Sequence, residues 1–236
     1  RYTPISGKHT FAIALERPAT DLDPGTVTIP VAGASRLPDF TAQYRYAGEW
    51  GHVQLAGMLR SLAYENPGSP GGKPKGDAIG GGLALSSSIK VASMATLRLS
   101  VLGGAGISHY LNDGGTDLAF GGSATAPVPQ PVPLLGTMAY LDLVWSQVWS
   151  SSLGYSSTTV ENTRLQDITA FKKGQYASLN LLATPMRDVL VGPEVLWGRR
   201  EDKDGATGND VRLQVSARYG FGVSPSRRPG SGQGSD

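Results

Sequence analysis

The chain has 236 residues, enough for one large domain with a sizeable core. Lysine and arginine number 21 against 19 aspartates and glutamates, a net charge of +2 that is too small to imply a nucleic-acid partner. Cysteine is absent, which excludes disulfides, thiolate zinc sites and cysteine nucleophiles, and no apolar run approaches the ~18 residues of a membrane helix.

Glycine (32) and proline (16) are plentiful and amphipathic helical periodicity is nearly absent, so the class is all-β. The chain opens at Arg1-Tyr2-Thr3-Pro4 as if in mid-element and without a secretory signal, so a mature or truncated product is expected. From there, roughly ten segments reach the ~9–11 residues that a tilted strand needs to cross a bilayer. They are residues 8–17, 39–48, 51–64, 77–91, 96–109, 135–149, 151–160, 174–184, 188–199 and 210–221.

Period two runs through them. Phe11, Ile13 and Leu15 alternate with Thr10, Ala12, Ala14 and Glu16; Tyr44 and Tyr46 with Gln43 and Arg45; Val53, Leu55 and Leu59 with His52, Gln54 and Arg60. Later, Leu97, Leu99 and Val101 oppose Arg98 and Ser100, and Val189, Val191, Val195 and Trp197 oppose Glu194. The last segment is the most regular, with Leu213, Val215, Ala217, Tyr219 and Phe221 set against Arg212, Gln214, Ser216, Arg218 and Gly220. Each is a ribbon with one greasy and one polar face.

The connections alternate in length. Short links lie at Gly48 to Gly51, Ala92 to Ala95, around Ser150 and at Pro185 to Asp188. Long polar links lie at Pro18 to Pro38, Glu65 to Gly76, Tyr110 to Pro133, Glu161 to Lys173 and Arg200 to Asn209. An up-and-down meander in water has no reason to gather its short turns at one end, whereas outer-membrane barrels pair short periplasmic turns with long extracellular loops. In that orientation Tyr46, Trp50, Trp149, Tyr219 and Phe221 fall near the periplasmic ends of their strands. Tyr64, Tyr110, Tyr140, Tyr176 and Trp197 fall near the extracellular ends, with Trp145 and Tyr155 a little deeper. Two aromatic girdles around an aliphatic band are what a membrane interface selects.

A lipid-facing arginine at mid-bilayer costs roughly 2–4 kcal/mol, so the charged register must face a wet lumen. The candidate solute-binding residues of that lumen are Arg45, Arg60, Lys90, Arg98, Arg212 and Arg218, with Glu194, Glu16 and Asp142 on the acidic side. The basic surplus favours anions, because low-dielectric walls focus an unbalanced charge, and Arg60, away from both mouths, is expected to lead. The glycine clusters Gly80 to Gly82 and Gly103 to Gly106 lack the Lys-Ser/Thr of a phosphate loop and read as bends in strands. The run Pro127-Val128-Pro129-Gln130-Pro131-Val132-Pro133 reads as a stiff segment of the longest loop; whether that loop folds inward is open at this stage. His9, His52 and His109 sit on separate segments without metal-ligand spacing, and neither a metal nor a catalytic set is expected.

The run Val195-Leu196-Trp197-Gly198-Arg199-Arg200-Glu201, then Asp204-Gly205, Asp210, and Arg212-Leu213-Gln214-Val215 to Tyr219-Gly220-Phe221, resembles the C-terminal end of DcaP-like outer-membrane porins. Phe40 to Tyr46, Gly51 to Gly57 and Trp145 to Tyr155 extend the resemblance over nearly the whole chain. It implies a transmembrane antiparallel up-and-down β-barrel of about sixteen strands, of which about ten are present here, incomplete at the N-terminus. It further implies passive diffusion of small hydrophilic solutes with a preference for small anions such as dicarboxylates, a homotrimer, no cofactor, and a Gram-negative outer membrane as location. The expected partners are therefore outer-membrane lipid, small anionic solutes and the barrel-assembly machinery.

The barrel is expected over residues 1–221, followed at 222–236 by a disordered Gly/Pro/Ser/Arg tail that moves the Tyr219 to Phe221 signal away from the terminus. Two readings from other classes stand beside this one: an outer-membrane barrel enzyme or adhesion scaffold, and a soluble carbohydrate-binding β-sandwich whose Leu/Val/Trp face is covered by a second sheet.

Overall fold

The structure, a computed structural model, describes residues 1–111 and 115–221; the tail expected at 222–236 lies outside the described residues. Fourteen strands follow in chain order: β1 (Tyr2–Ile5), β2 (His9–Glu16), β3 (Ala32–Ala34), β4 (Asp39–Gly48), β5 (Gly51–Glu65), β6 (Gly76–Ala92) and β7 (Ala95–Ala105). After a short 3-10 turn at Ser108–Tyr110 come β8 (Leu118–Ser123), β9 (Ala126–Pro131), β10 (Pro133–Val144), β11 (Trp149–Val160), β12 (Phe171–Ala183), β13 (Val189–Asp202) and β14 (Thr207–Tyr219). The ten expected segments are β2, β4 to β7 and β10 to β14.

These form one antiparallel meander in the order β1-β2-β4-β5-β6-β7-β10-β11-β12-β13-β14, with β3 added beside β5. The sheet is open: β1 and β14 are its edges and do not pair with each other. The strands run further toward the long-loop end than period two indicated. As a result the β13–β14 connection shrinks from the expected Arg200 to Asn209 to Lys203–Ala206, while the turn placed around Ser150 falls at 145–148.

Inside the longest connection, β8 and β9 pair as a separate hairpin. Val132, in register with Val128 and Gln130, donates its N–H to Asp117 O on the β8 side at 2.9 Å. Pro127, Pro129 and Pro131 therefore turn toward the free edge, where the missing N–H groups cost no ladder bond and block further pairing. The hairpin presses on one face of the main sheet, called inner below. Its Leu118 and Phe120 pack with Leu62, Tyr64 and Leu165, and its Ala119 and the following Val132 with Ile107, Leu134 and Val160. This is where the core sits. The glycine clusters make the approach possible: a Cβ on Gly82 would meet Ile107 Cδ1 at 2.8 Å, and Gly106, at φ +70°, lies against Leu62.

Among the described residues the opposite, outer face has no cover. Leu55, Leu99, Leu179, Leu181 and Val215 are exposed there, with Leu213 73% and Val215 72% accessible. One hydrogen-bond row on this face joins Phe11, Tyr44, Leu55, Leu85 and Val101, then continues into Thr137, Ser157, Gln175, Arg199 and Asn209. At the β2–β5 side apolar residues rise above that row to Leu15, Phe40 and Leu59; at the β13–β14 side they lie below it, at Val195, Leu213, Val215 and Tyr219. The apolar band thus crosses the rows obliquely. Strands tilted about 35–45° to a bilayer normal impose that slant on any level belt.

At the short-turn end of the outer face His9, Tyr46 and Trp50 lie together, with ring centroids 4.9 and 6.0 Å apart, and Tyr219 stacks on Phe221 at 6.4 Å. The second expected girdle is corrected. Tyr64 lies on the inner face under Phe120, Tyr110 contacts Arg60 there, and Tyr140 and Tyr176 share the inner register with Arg98 and Gly198. Only Trp197 of that group is on the outer face, in the row of Ala177 and Val211.

Candidate functional site: the inner face and its arginine clasp

The seven sequence-selected residues Arg45, Arg60, Lys90, Arg98, Glu194, Arg212 and Arg218 share the inner register. They divide into two groups, one at the wall under the hairpin and one below it.

Arg60 belongs to the first. Expected to lead the set as an inward-facing residue away from both mouths, Arg60 does lie on the inner face, but it is 2% exposed and ion-paired. Its Nε donates to Asp39 Oδ2 at 2.9 Å, and Nη1 lies 2.8 Å from Asp117 Oδ1 and donates to Gly106 O at 2.6 Å. Its Nη2 donates to Ala19 O. The guanidinium also lies 5.2 Å from the Tyr110 ring, whose hydroxyl donates to Asp39 Oδ2 at 2.9 Å. Asp39 Oδ1 is buried without a hydrogen-bond partner among the described residues, so Arg60 and Tyr110 carry the whole compensation of that carboxylate. Burial, followed by the hydrogen bond to Asp39, pushes the Tyr110 phenol up to about 12.

Asp117 ties this clasp to the loops. Its Oδ1 also accepts the His109 N–H at 2.9 Å, and its Oδ2 accepts the Asp21 N–H at 3.2 Å. His109 Nδ1 stands 3.1 Å from Asp21 Oδ2. Asp21, His109 and Asp117 are the residues that come nearest to a metal-binding group, but both Asp117 oxygens are already committed to donors. Backbone bonds complete the interlock. Asp23 N donates to Leu118 O at 2.9 Å, Leu165 N to Phe120 O at 3.1 Å and Thr26 N to Leu165 O at 2.8 Å. One arginine on β5 thus holds the loops after β2 and β7 against the wall, and the loop after β11 locks onto them.

Below the clasp the inner face is polar. One row runs Lys90, Thr96, Asp142, Ser152, Asn180, Glu194 and Gln214 across seven strands. Arg98 Nε bonds Asp142 Oδ2, Ser152 Oγ donates to Asp142 Oδ1 at 2.7 Å, and Gln214 Nε2 donates to Glu194 Oε2 at 2.6 Å. The next row holds His52, Ser88, Arg98, Tyr140, Gly154 and Arg212. Gly154 is required there because a Cβ would enter the Tyr140 ring. Among the described residues Arg45, Lys90, Arg212 and Arg218 have no carboxylate within ion-pair distance. Among the described residues the arrangement is a hydrogen-bonded wall with a cationic surplus.

Sequence reasoning missed Asp39, Tyr110 and Asp117 as a unit. Asp39 opens a strand and Asp117 lies in a loop, so period two could not bring them to Arg60. The available signal was an arginine set among Met58, Leu59 and Leu62, which demands buried partners.

No protein-family model and no curated protein matches the sequence. Among solved structures the fold is similar to that in the crystal structure of the outer membrane channel DcaP of Acinetobacter baumannii, with a TM-score of 0.78 and 18% sequence identity over 93% of this chain. The chain spans 61% of the length of that channel. At this identity the likeness is one of fold, an open antiparallel β-meander like part of that structure, and it agrees with the resemblance read over nearly the whole sequence.

Proposed function

We propose that the chain forms much of the wall of an outer-membrane porin of a Gram-negative bacterium, which passes small hydrophilic solutes by passive diffusion and favours small anions such as dicarboxylates. The observation that carries this reading is the slanted, uncovered apolar band on one face backed by an ionised, hydrogen-bonded face on the other. A soluble sandwich would cover the first and expose the second. The anion preference rests on Arg45, Lys90, Arg212 and Arg218, whose charge stands without paired carboxylates beside a low-dielectric wall.

Edges facing hydrocarbon would leave backbone groups unsatisfied at several kcal/mol each, so further strands are proposed to pair with β1 and β14 and close the barrel. A total of about sixteen strands, a homotrimer and handling by the barrel-assembly machinery rest on the family resemblance. The hairpin β8–β9 would then narrow the lumen at its long-loop end.

Reversal potentials of the assembled protein in a salt gradient test the reading, together with swelling of proteoliposomes in a dicarboxylate and in a neutral sugar of equal size. Anion selectivity and faster dicarboxylate entry are expected. Absence of conductance would overturn the channel, and cation selectivity would overturn the anion preference.

A further inference from the structure

The outer face carries charge just above the apolar band on β11 to β14. There the row Tyr155, Ala177, Trp197 and Val211 closes the band at the long-loop end. The next same-face row holds Ser157, Gln175, Arg199 and Asn209, and the one above it Thr159, Lys173, Glu201 and Thr207. On β5 to β7 the first of these rows is still Leu55, Leu85 and Val101. Cations thus enter these two rows where the slanted band has dropped beneath them.

Height decides what the patch meets. Same-face neighbours on a strand are about 6.7 Å apart, which at a tilt near 40° is about 5 Å along the bilayer normal. Tryptophan anchors at the edge of the hydrocarbon, and the headgroup layer outside it is roughly 5–8 Å deep on each side. Arg199 therefore stands about 5 Å above Trp197, at the level of lipid phosphates, with Lys173 diagonally above it on the neighbouring strand.

Both cations are unspent. Neither Arg199 nor Lys173 has a carboxylate within ion-pair distance among the described residues. Arg200, on the inner register, is by contrast bonded to Asp202 Oδ1 at 2.6 Å and to Thr169 O at 3.1 Å. Glu201, the one carboxylate in the two rows on β11 to β14, is taken by Lys172 Nζ at 2.8 Å. The remaining polar side chains of the patch are hydroxyls and amides, neutral groups that exchange hydrogen bonds with a sugar.

We infer that this patch seats the phosphomonoester of an acylated sugar lipid of the outer leaflet, of the lipid A type. Two cations on neighbouring strands match a phosphate of charge near −2, whereas a phosphodiester carries a single charge. The hydroxyls and amides beside them suit a sugar headgroup, and the apolar band below takes the acyl chains. The inference rests on the outer face meeting lipid with the long loops extracellular, and it names the headgroup that this face selects.

The assembled protein in detergent micelles is titrated with lipid A, with lipid A stripped of its phosphates and with phosphatidylglycerol, and bound lipid is counted by native mass spectrometry. Lipid A is expected to bind saturably and at least fivefold more tightly than either of the others. Arg199→Gln and Lys173→Gln should each weaken it about fivefold, and the double variant by more than tenfold, the usual strength of a basic residue beside anionic lipid. Arg199→Lys, which keeps the charge, should stay within about twofold of the parent. Glu201→Gln removes a repelling carboxylate and releases Lys172, so it should tighten binding. Arg187→Gln, in the turn at the opposite end of β12, should change nothing. Inorganic phosphate should not displace the lipid.

Equal binding of lipid A and its dephosphorylated form would overturn the inference, as would binding indifferent to the double variant. Displacement by inorganic phosphate would make the patch a free-anion site. A changed subunit count in the double variant with lipid A binding intact would make it a protein contact, and either result would overturn the lipid assignment. Conductance without lipid A selectivity would sink the headgroup site alone, whereas absence of conductance would sink the channel reading whatever lipid is bound.

Discussion

Arg60 and Asp117 meet at 2.8 Å with both side chains fully buried, and this contact joins the wall of the sheet to the loop that carries the hairpin. Removing one partner of a buried pair leaves the other uncompensated, at roughly 3–5 kcal/mol. Arg60→Met would strand two carboxylates, Asp39 and Asp117. We expect it to lower stability by about that amount and to speed proteolysis within residues 106–132, measured by denaturant unfolding and by mapping early cleavage sites. Unchanged cleavage in that loop would show that packing of Phe120 and Leu118 holds the hairpin without the clasp.

The Tyr110 phenol gives the clasp a pH signature. Its folded value of about 12 lies above the ordinary value near 10, so folding favours the protonated form. The stabilisation is complete below pH 10 and is lost as pH rises from 10 through 12. Tyrosinate absorbance should show a late-titrating phenol that disappears in Tyr110→Phe. If Tyr110→Phe leaves the alkaline end of the titration unchanged, the hydroxyl does not bond Asp39 in solution.

Gly154 and Tyr140 make a socket and plug on the inner face. Gly154→Ala forces the ring from its place and should cost about 1–3 kcal/mol, the usual cost of overpacking. Tyr140→Ala should absorb most of that cost, so a double-mutant cycle reports coupling. Additive effects would mean that the ring does not rest on the glycine.

Much of this arrangement is legible in the sequence. Strict period two in β2, β5, β7, β13 and β14 assigns the outer leucines and the inner arginines to opposite faces, because the pleat allows no other arrangement. The hairpin, the clasp and the inner tyrosines are not legible in the same way. Tyr64 has the look of a girdle residue by position along its strand, but its face is set by parity with Arg60 and Leu62, and its burial by Phe120 from a distant loop. Pro127, Pro129 and Pro131 resemble a stiff linker, since a strand with proline at every second position forms only where one edge stays unpaired.

Charge selectivity should follow pairing. Arg45→Gln is expected to shift the reversal potential toward neutrality more than Arg98→Gln, because Arg98 is already bonded to Asp142. Arg60→Met should shift it least. The effects should grow as the Debye length rises from about 8 Å at physiological salt to about 30 Å at 0.01 M. Equal shifts for Arg45 and Arg98 would mean that the Asp142 pair opens in the working pore.

The central claim is that the outer face meets lipid along a tilted belt, and the absence of cysteine makes single-site spin labels simple to place. Leu55, Val101, Gln175 and Asn209 occupy one hydrogen-bond row, so a sheet without a membrane treats them alike. In membranes, labels at Leu55 and Val101 should be relaxed by oxygen and shielded from a water-soluble nickel complex, and labels at Gln175 and Asn209 should show the reverse. Equal access of the nickel complex to all four positions would contradict the account.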